Sequence, residues 1–191
     1  MQSALQQPDL GSTKAGGVSP ARIVAIDLRT HESKQYLYLL DNPATTGDAN
    51  SEITALSNTR FLVDERDGTF GPFAQKTLYE IDVNGAGVTV AQKQPYVNAG
   101  MLVSRLDPTG KFFSHDKVEG VATADAGRTL YLSNDNDFGI DIIVVAPDGQ
   151  WTVHQKALPT TGRTDNGEIL KIDTTKLPAV LKTVTVTIHV R

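Results

Sequence analysis

Apolar and polar residues alternate with a period of two along most of this chain, the pattern of half-buried β-strands. Arg22-Ile23-Val24-Ala25-Ile26-Asp27-Leu28 alternates, and Lys34 to Leu40 answers it across a short polar turn, which predicts a hairpin. Ile53 to Leu56 and Phe61 to Asp64 predict a second. Thr77 to Val83 alternates again, Asn84-Gly85 is a tight-turn dipeptide, and Val88 to Ala91 returns. The cycle recurs at 118–122, 128–133, 141–146 and 151–155, with Pro147-Asp148-Gly149 as its last turn. Ile169 to Ile172 opens a further cycle, and Thr183 to Val190 reads as a β-branched final strand. Helical periodicity is almost missing: the stretch Thr174 to Lys182 is short and holds Pro178.

Within this alternation, two segments repeat each other. Ser51-Glu52-Ile53-Thr54-Ala55-Leu56 is followed by Phe61-Leu62-Val63-Asp64-Glu65-Arg66-Asp67-Gly68. Val118-Glu119-Gly120-Val121-Ala122 is followed by Leu130-Tyr131-Leu132-Ser133-Asn134-Asp135-Asn136-Asp137. Each has a Glu before a short strand, a turn, a second strand and an acidic cluster where that strand ends. Units of about 40–45 residues with four strands fit propeller blades. The predicted class is therefore all-β: a β-propeller of four-stranded antiparallel blades, with whole blades at 51–97 and 118–158 and partial ones on either side. A β-sandwich is the alternative. Two whole blades do not close a ring, so the expectation is an incomplete propeller, the C-terminal part of a longer one. Its open edges would favour self-association.

Composition narrows the functional classes. The chain has 191 residues, 39% apolar, with formal net charge −4 and no cysteine. That suits one globular domain with a core, here 21–191, preceded by a polar, flexible leader at 1–20. Acids and bases interleave with no polybasic block, which argues against nucleic acid as a partner. Disulfides and thiolate metal sites are excluded. No apolar run reaches the ~20 residues of a membrane span, and Met1 to Pro20 lacks the layout of a secretory signal.

The candidate chemistry sits in the acidic loops. Asp135-Asn136-Asp137-Phe138-Gly139 offers alternating oxygen ligands and then a glycine, as a calcium loop does. It is not an EF-hand, since the twelfth position is Ala146 and no helices flank it; a solvated turn is the other reading. Asp64-Glu65-Arg66-Asp67-Gly68 is its counterpart, able to hold a metal, to bind an anion through Arg66, or to form an exposed ion-pair cluster. Glu52 and Glu119 each precede an innermost strand, where a carboxylate is costly to desolvate unless it is paired or metal-bound. Around Glu119, the run Ser114-His115-Asp116-Lys117-Val118 places a His, an Asp and a Lys at the mouth of one strand, able to bind phosphate and supply acid–base chemistry or to serve as a polar loop. His31, His154 and His189 have no ligand spacing. No nucleophile elbow or Walker loop occurs.

Taken together, Arg60-Phe61-Leu62-Val63-Asp64-Glu65-Arg66-Asp67 after Ser51-Glu52, and Arg128-Thr129-Leu130-Tyr131-Leu132-Ser133-Asn134-Asp135-Asn136-Asp137-Phe138-Gly139 after Val118-Glu119-Gly120, resemble the phytase-like family, described as having esterase-like activity of phytase. The resemblance covers most of 20–175. Singly, Glu119-Gly120 followed by Leu130-Tyr131-Leu132-Ser133-Asn134-Asp135 also resembles lactonase-type and strictosidine-synthase-like propellers. The phytase-like resemblance implies a hydrolase of phosphoesters or simple esters with a small-molecule substrate. It also implies an extracytoplasmic location, periplasmic or secreted, because members are often exported. In β-propeller phytases, calcium held by channel-mouth carboxylates binds the substrate phosphate and activates water. Carried onto this sequence, that implies calcium at Glu119, with Glu52 and the two acidic loops, at Glu65 and Asp67 and at Asp135 and Asp137, as weaker counterparts. Glu119 and His115 would be catalytic, and Lys117 and Arg66 would contact substrate. The rival expectation is a non-catalytic propeller that binds a ligand or protein partner on its loop face.

Overall fold

Strands form where the alternation puts them, and their pairing decides which edges are shared. The computed structural model describes residues 2–6, 20–40, 49–69, 74–84, 92–110, 115–159 and 161–177. The class is all-β, with antiparallel sheets of two to four strands, none of them closed among the described residues. The first sheet joins β1 (Gln2–Gln6), β2 (Pro20–Ile26) and β3 (Ser33–Leu39). Gln2–Gln6 falls in the segment read from sequence as leader, yet it pairs along β2 from Gln2↔Ile26 to Gln6↔Arg22.

The first predicted four-stranded sheet is present. β4 (Ala49–Ala55), β5 (Arg60–Arg66), β6 (Lys76–Asp82) and β7 (Gln92–Asn98) form one four-stranded sheet in chain order. Its return strand is Gln92–Asn98; the predicted return at Val88 to Ala91, and Gly85 of the turn, lie outside the described residues. This sheet is covered on both faces, and adjacent residues of β5 point into different cores. Leu62 packs with Leu56, Leu78, Val97, Val118, Val121, Leu130, Leu132 and Ile172. Val63, with Ile81, packs against Ile23, Tyr36 and Tyr38 of the first sheet. Leu62 and Val63 are both fully buried.

The second predicted blade is not a single sheet. β8 (Val118–Ala122) pairs with β9 (Thr129–Asn134), but the outer edge of β9 is taken by β12 (Ile169–Asp173), from Ile169↔Ser133 to Asp173↔Thr129. β10 (Ile140–Val145) and β11 (Trp151–Gln155) form a separate two-stranded ribbon. The physical reason lies just before β12. The Glu168 N–H donates to Asn134 Oδ1 at 2.7 Å, Asn134 Nδ2 donates to the Asn166 carbonyl at 3.1 Å, and Asn136 Nδ2 donates to the Asp165 carbonyl at 3.1 Å. Those bonds seat 165–168 against the end of β9.

The structure also holds a helix that the strand pattern does not announce, α1 (Ala99–Leu106). Asn98 caps it, its side chain accepting the Met101 N–H at 2.8 Å, and Ala99 and Leu102 bury its inner face in the core shared with β8 and β9. The helix lies close to the chain before β6: a Cβ on Gly100 would stand 2.9 Å from the Ala74 carbonyl. Thr183 to Val190, read as a final strand, lies outside the described residues.

Candidate functional site

The two repeated glutamates occupy the same structural position. Between β4 and β5 the register runs Asn50↔Glu65 and then Ile53↔Val63, so Ser51 and Glu52 together face Asp64 alone. Between β8 and β9 it runs Val118↔Asn134 and then Gly120↔Ser133, leaving Glu119 as the extra residue. Each glutamate thus lies in a β-bulge, a device that bends a strand and re-aims a side chain. Past the bulges the pairs correspond one to one: Thr54↔Leu62 matches Val121↔Leu132, and Ala55↔Phe61 matches Ala122↔Tyr131. By that register Asp64 corresponds to Asn134, Glu65 to Asp135 and Asp67 to Asp137. A Cβ on Gly120, at the second bulge, would stand 2.2 Å from Ser133 Oγ, so that hydroxyl would have to turn aside.

Arg66 ties the repeats together. Its Nε donates to Ser51 Oγ at 2.8 Å in the first bulge, and its Nη2 donates to the Glu119 carboxylate in the second. Glu52 instead accepts the N–H of its neighbour Ile53 at 2.9 Å. Beneath this bridge, Asp64 is 1% exposed and neither carboxylate oxygen has a hydrogen-bond partner. Burial pushes its pKa well above the ordinary 3.8, with Arg66 and then Lys76 opposing the rise.

The other carboxylates of the first loop are buried. Glu65 faces the first sheet, where it accepts from the Tyr38 hydroxyl and from Lys93. Asp67 accepts from Lys76 Nζ at 2.8 Å, from the Gln75 N–H at 3.0 Å and from the Thr69 hydroxyl at 2.7 Å. Burial would raise the Asp67 pKa, but these donors, led by Lys76, outweigh it and leave the carboxyl lowered. Both charged groups of the Asp67–Lys76 pair are buried.

The second loop is open to solvent on top and locked underneath. Asp137, Phe138 and Gly139 are consecutive left-handed residues, with φ of 51°, 59° and 72°. Backbone of that kind at a bulky side chain costs on the order of 1–3 kcal/mol and persists only where its surroundings hold it. The restraints are visible. Asp135 Oδ1 accepts the Asp137 N–H at 2.9 Å, the Gly139 N–H donates to the Asn136 carbonyl at 2.8 Å, and the Lys156 N–H donates to the Gly139 carbonyl at 2.9 Å. Lys117 and Lys156 both donate to the Asp137 carboxylate. Those hydrogen bonds, Lys117 first, hold the Asp137 pKa down to about 2. Phe138 is left 96% exposed.

Under that loop, His115 Nδ1 lies 2.7 Å from Asp165 Oδ1 and Nε2 lies 3.3 Å from Glu168 Oε2, with the ring wholly buried. Lys156 spans Asp116 at 2.8 Å, Asp137 at 2.7 Å and Asp165 at 3.4 Å. Several candidates thus gather in this second loop: His115, Lys117, Asp135 and Asp137, with Glu119 and Arg66 at the adjoining seam. Glu65 and Asp67, in the first loop, are instead drawn to Lys93 and Lys76. Lys156, Asp165 and Glu168 belong to the network and were not singled out from sequence; the polar turn Thr164-Asp165-Asn166-Gly167-Glu168 is the signal that could have found them.

Calcium requires six to eight oxygens around one point. Among the described residues no three of His, Asp or Glu converge in that way. Glu119, Asp135, Asp137, Glu65 and Asp67 each lie instead against a lysine or arginine. Among the described residues, these carboxylates are thus paired with cationic side chains rather than gathered around a common point. A cavity of about 380 Å³ lies at the opposite end of the strands, lined by Ile23, Tyr36, Ile53 and Phe61 with Asp27 and Lys34 among the polar groups, and no candidate residue borders it.

A family model, phytase-like, described as esterase-like activity of phytase, matches residues 1–138. The match takes in both bulges and the second loop through Phe138, and stops before Lys156, Asp165 and Glu168. No curated protein and no solved structure gives a significant match.

Proposed function

The chain belongs to the phytase-like family, which places it among hydrolases of the esterase and phosphatase type, and from that premise we propose that it cleaves a phosphoester of a small molecule at the second loop. The observation that carries the reading is the strained backbone at Asp137 and Phe138, held by two lysines in the candidate loop that stays open to solvent. Strain of this kind gathers at working sites. Lys117 and Arg66 supply the positive charge that an anionic ester needs, and each already holds a carboxylate that an incoming phosphate can exchange for its own oxygens.

Glu119, 30% exposed on its bulge, is the base. It takes a proton from the attacking water, the water oxygen bonds to phosphorus, the bond to the leaving alcohol breaks, and the alkoxide takes a proton from solvent. His115 is too buried to touch substrate; paired with Asp165 it positions the loop from beneath.

The test is turnover of a chromogenic phosphate monoester and a chromogenic carboxylic ester, with and without calcium. Phosphate-ester turnover is expected, with Glu119→Gln lowering kcat about 100-fold and Lys117→Met raising KM for the phosphate ester more than for the neutral one. Absence of turnover, or full activity in Glu119→Gln, overturns the proposal.

A further inference from the structure

Asp137 is held by two lysines of unequal access. Lys117 donates to its Oδ1 and Lys156 to its Oδ2, the latter at 2.7 Å. The Lys156 side chain is 9% exposed, against 24% for Lys117. Lys156 is also the more firmly held. Its Nζ lies 2.8 and 3.0 Å from the two carboxylate oxygens of Asp116, and 3.4 Å from Asp165 Oδ2, a buried oxygen that accepts no hydrogen bond. Its N–H donates to the Gly139 carbonyl and its carbonyl accepts the Asp165 N–H, both at 2.9 Å. One residue thus fastens the segment before β8, the second loop and the turn before β12. Burial would lower the Lys156 pKa, but Asp116 and then Asp137 outweigh it and leave it raised, so the ammonium stays charged. Lys156 lies beyond the residues that the family model matches.

We propose that Lys156 is a positioning residue for phosphate binding: it keeps Asp137 neutralised, so that Lys117 can leave that carboxylate for the substrate. The inference rests on the phosphoester reading above and deepens it. An anion that takes Lys117 strips one cation from Asp137. A carboxylate left bare there would repel the incoming phosphate, and stripping a part-buried ion of its partner is costly in itself. With Lys156 in place, Asp137 keeps an ammonium throughout the exchange. Lys156 is not the phosphate contact, because Asp116 and Asp165 enclose it and little of it meets solvent. Glu119 is built the other way: among the described residues its ion partner is Arg66 alone. A phosphate that takes Arg66 therefore frees Glu119, as a general base requires. The two exchanges end differently, with one carboxylate released for proton transfer and the other kept neutralised.

The test is calorimetric titration of the whole chain with inorganic phosphate. Lys156→Met should weaken binding about tenfold. Adding Asp137→Asn to Lys156→Met should restore affinity to within about threefold of wild type, because the carboxylate that held Lys117 is gone. A lysine that only braced the loop predicts the reverse, since Asp137→Asn removes a further contact. Affinity that stays low in the double variant overturns the proposal, and so does unchanged affinity in Lys156→Met. Acetylation of the wild-type chain, read by mass spectrometry, needs no variant: phosphate should shield Lys117 and leave Lys156 unreactive with and without it. Shielding of Lys156, or none at Lys117, overturns the proposal, as does a wild type that binds no phosphate at millimolar levels. The expected binding pattern without ester turnover keeps this inference and sinks the hydrolytic reading. Turnover together with a double variant that fails to recover does the opposite.

Discussion

Replacing Asp64 by Asn should stabilise the protein at neutral pH. The wild-type carboxyl is 1% exposed, both its oxygens lack hydrogen-bond partners, and burial raises its pKa well above 3.8. In the unfolded chain the same group ionises near 3.8. Between that value and the raised folded-state pKa, the folded protein binds one proton more than the unfolded chain, so stability falls as pH rises. The slope is about 1.4 kcal/mol for each pH unit over which the full proton difference holds. Below pH 3.8 both states are protonated and the penalty vanishes; above the folded pKa it stops growing. Asn removes the titration and keeps the shape, and the fold already accepts Asn at the corresponding place, Asn134. Urea melts of both proteins from pH 3.5 to 8 measure the difference, and each kcal/mol corresponds to about 2–4 °C in Tm for a chain of this size. The expected result is near equality at pH 3.5 and a growing advantage for Asp64→Asn above pH 4. If the variant is the less stable one at pH 7, Asp64 is ionised in the fold and held by Arg66 and Lys76, and the reasoning from burial fails.

Two further substitutions probe the framework around the site. Lys93→Met removes the ammonium that holds Glu65 and sits 4.6 and 4.2 Å from the Tyr38 and Tyr79 ring centres; leaving that carboxylate buried should cost about 3–5 kcal/mol in denaturant melts, partly recovered by adding Glu65→Gln, and a loss below 1 kcal/mol would mean that Tyr38 suffices. Gly120→Ala should cost about 1–3 kcal/mol because its Cβ meets Ser133 Oγ, and a double-mutant cycle with Ser133→Ala should recover most of it; additive losses would show that the bulge needs glycine for another reason.

Much of this architecture was written in local patterns. Alternation placed the hairpins, and the repeated Glu, strand and acidic cluster marked two segments whose registers correspond residue by residue past the bulges. What local pattern does not carry is the choice among long-range partners. β9 could have paired onward to β10; bonds from Asn134 and Asn136 to 165–168 gave the edge to β12, and they join residues about thirty apart in sequence. The partners of the acidic loops were hidden for the same reason. Lys76 and Lys156 look like ordinary strand-end lysines until the fold sets them against Asp67 and Asp137. α1 was missed because it is short and starts Ala99-Gly100, although Asn98 as a cap and Ala99, Leu102, Val103 and Leu106 on one stripe were present in the sequence.

The matched bulges leave the molecule with two loops on one plan and opposite tolerances to change. In the first, the Asp67 side chain is 6% exposed and its ion partner 4%, so a new side chain at that position strands a buried charge. In the second, the Asp137 side chain is 38% exposed above a network that restrains the backbone from below. An engineer seeking altered substrate preference would therefore leave 64–69 untouched as the template and diversify 138, whose side chain faces water. Variants from such a library can be ranked on turnover with little culling for misfolding, because the part that carries stability and the part that would carry selectivity sit on different copies.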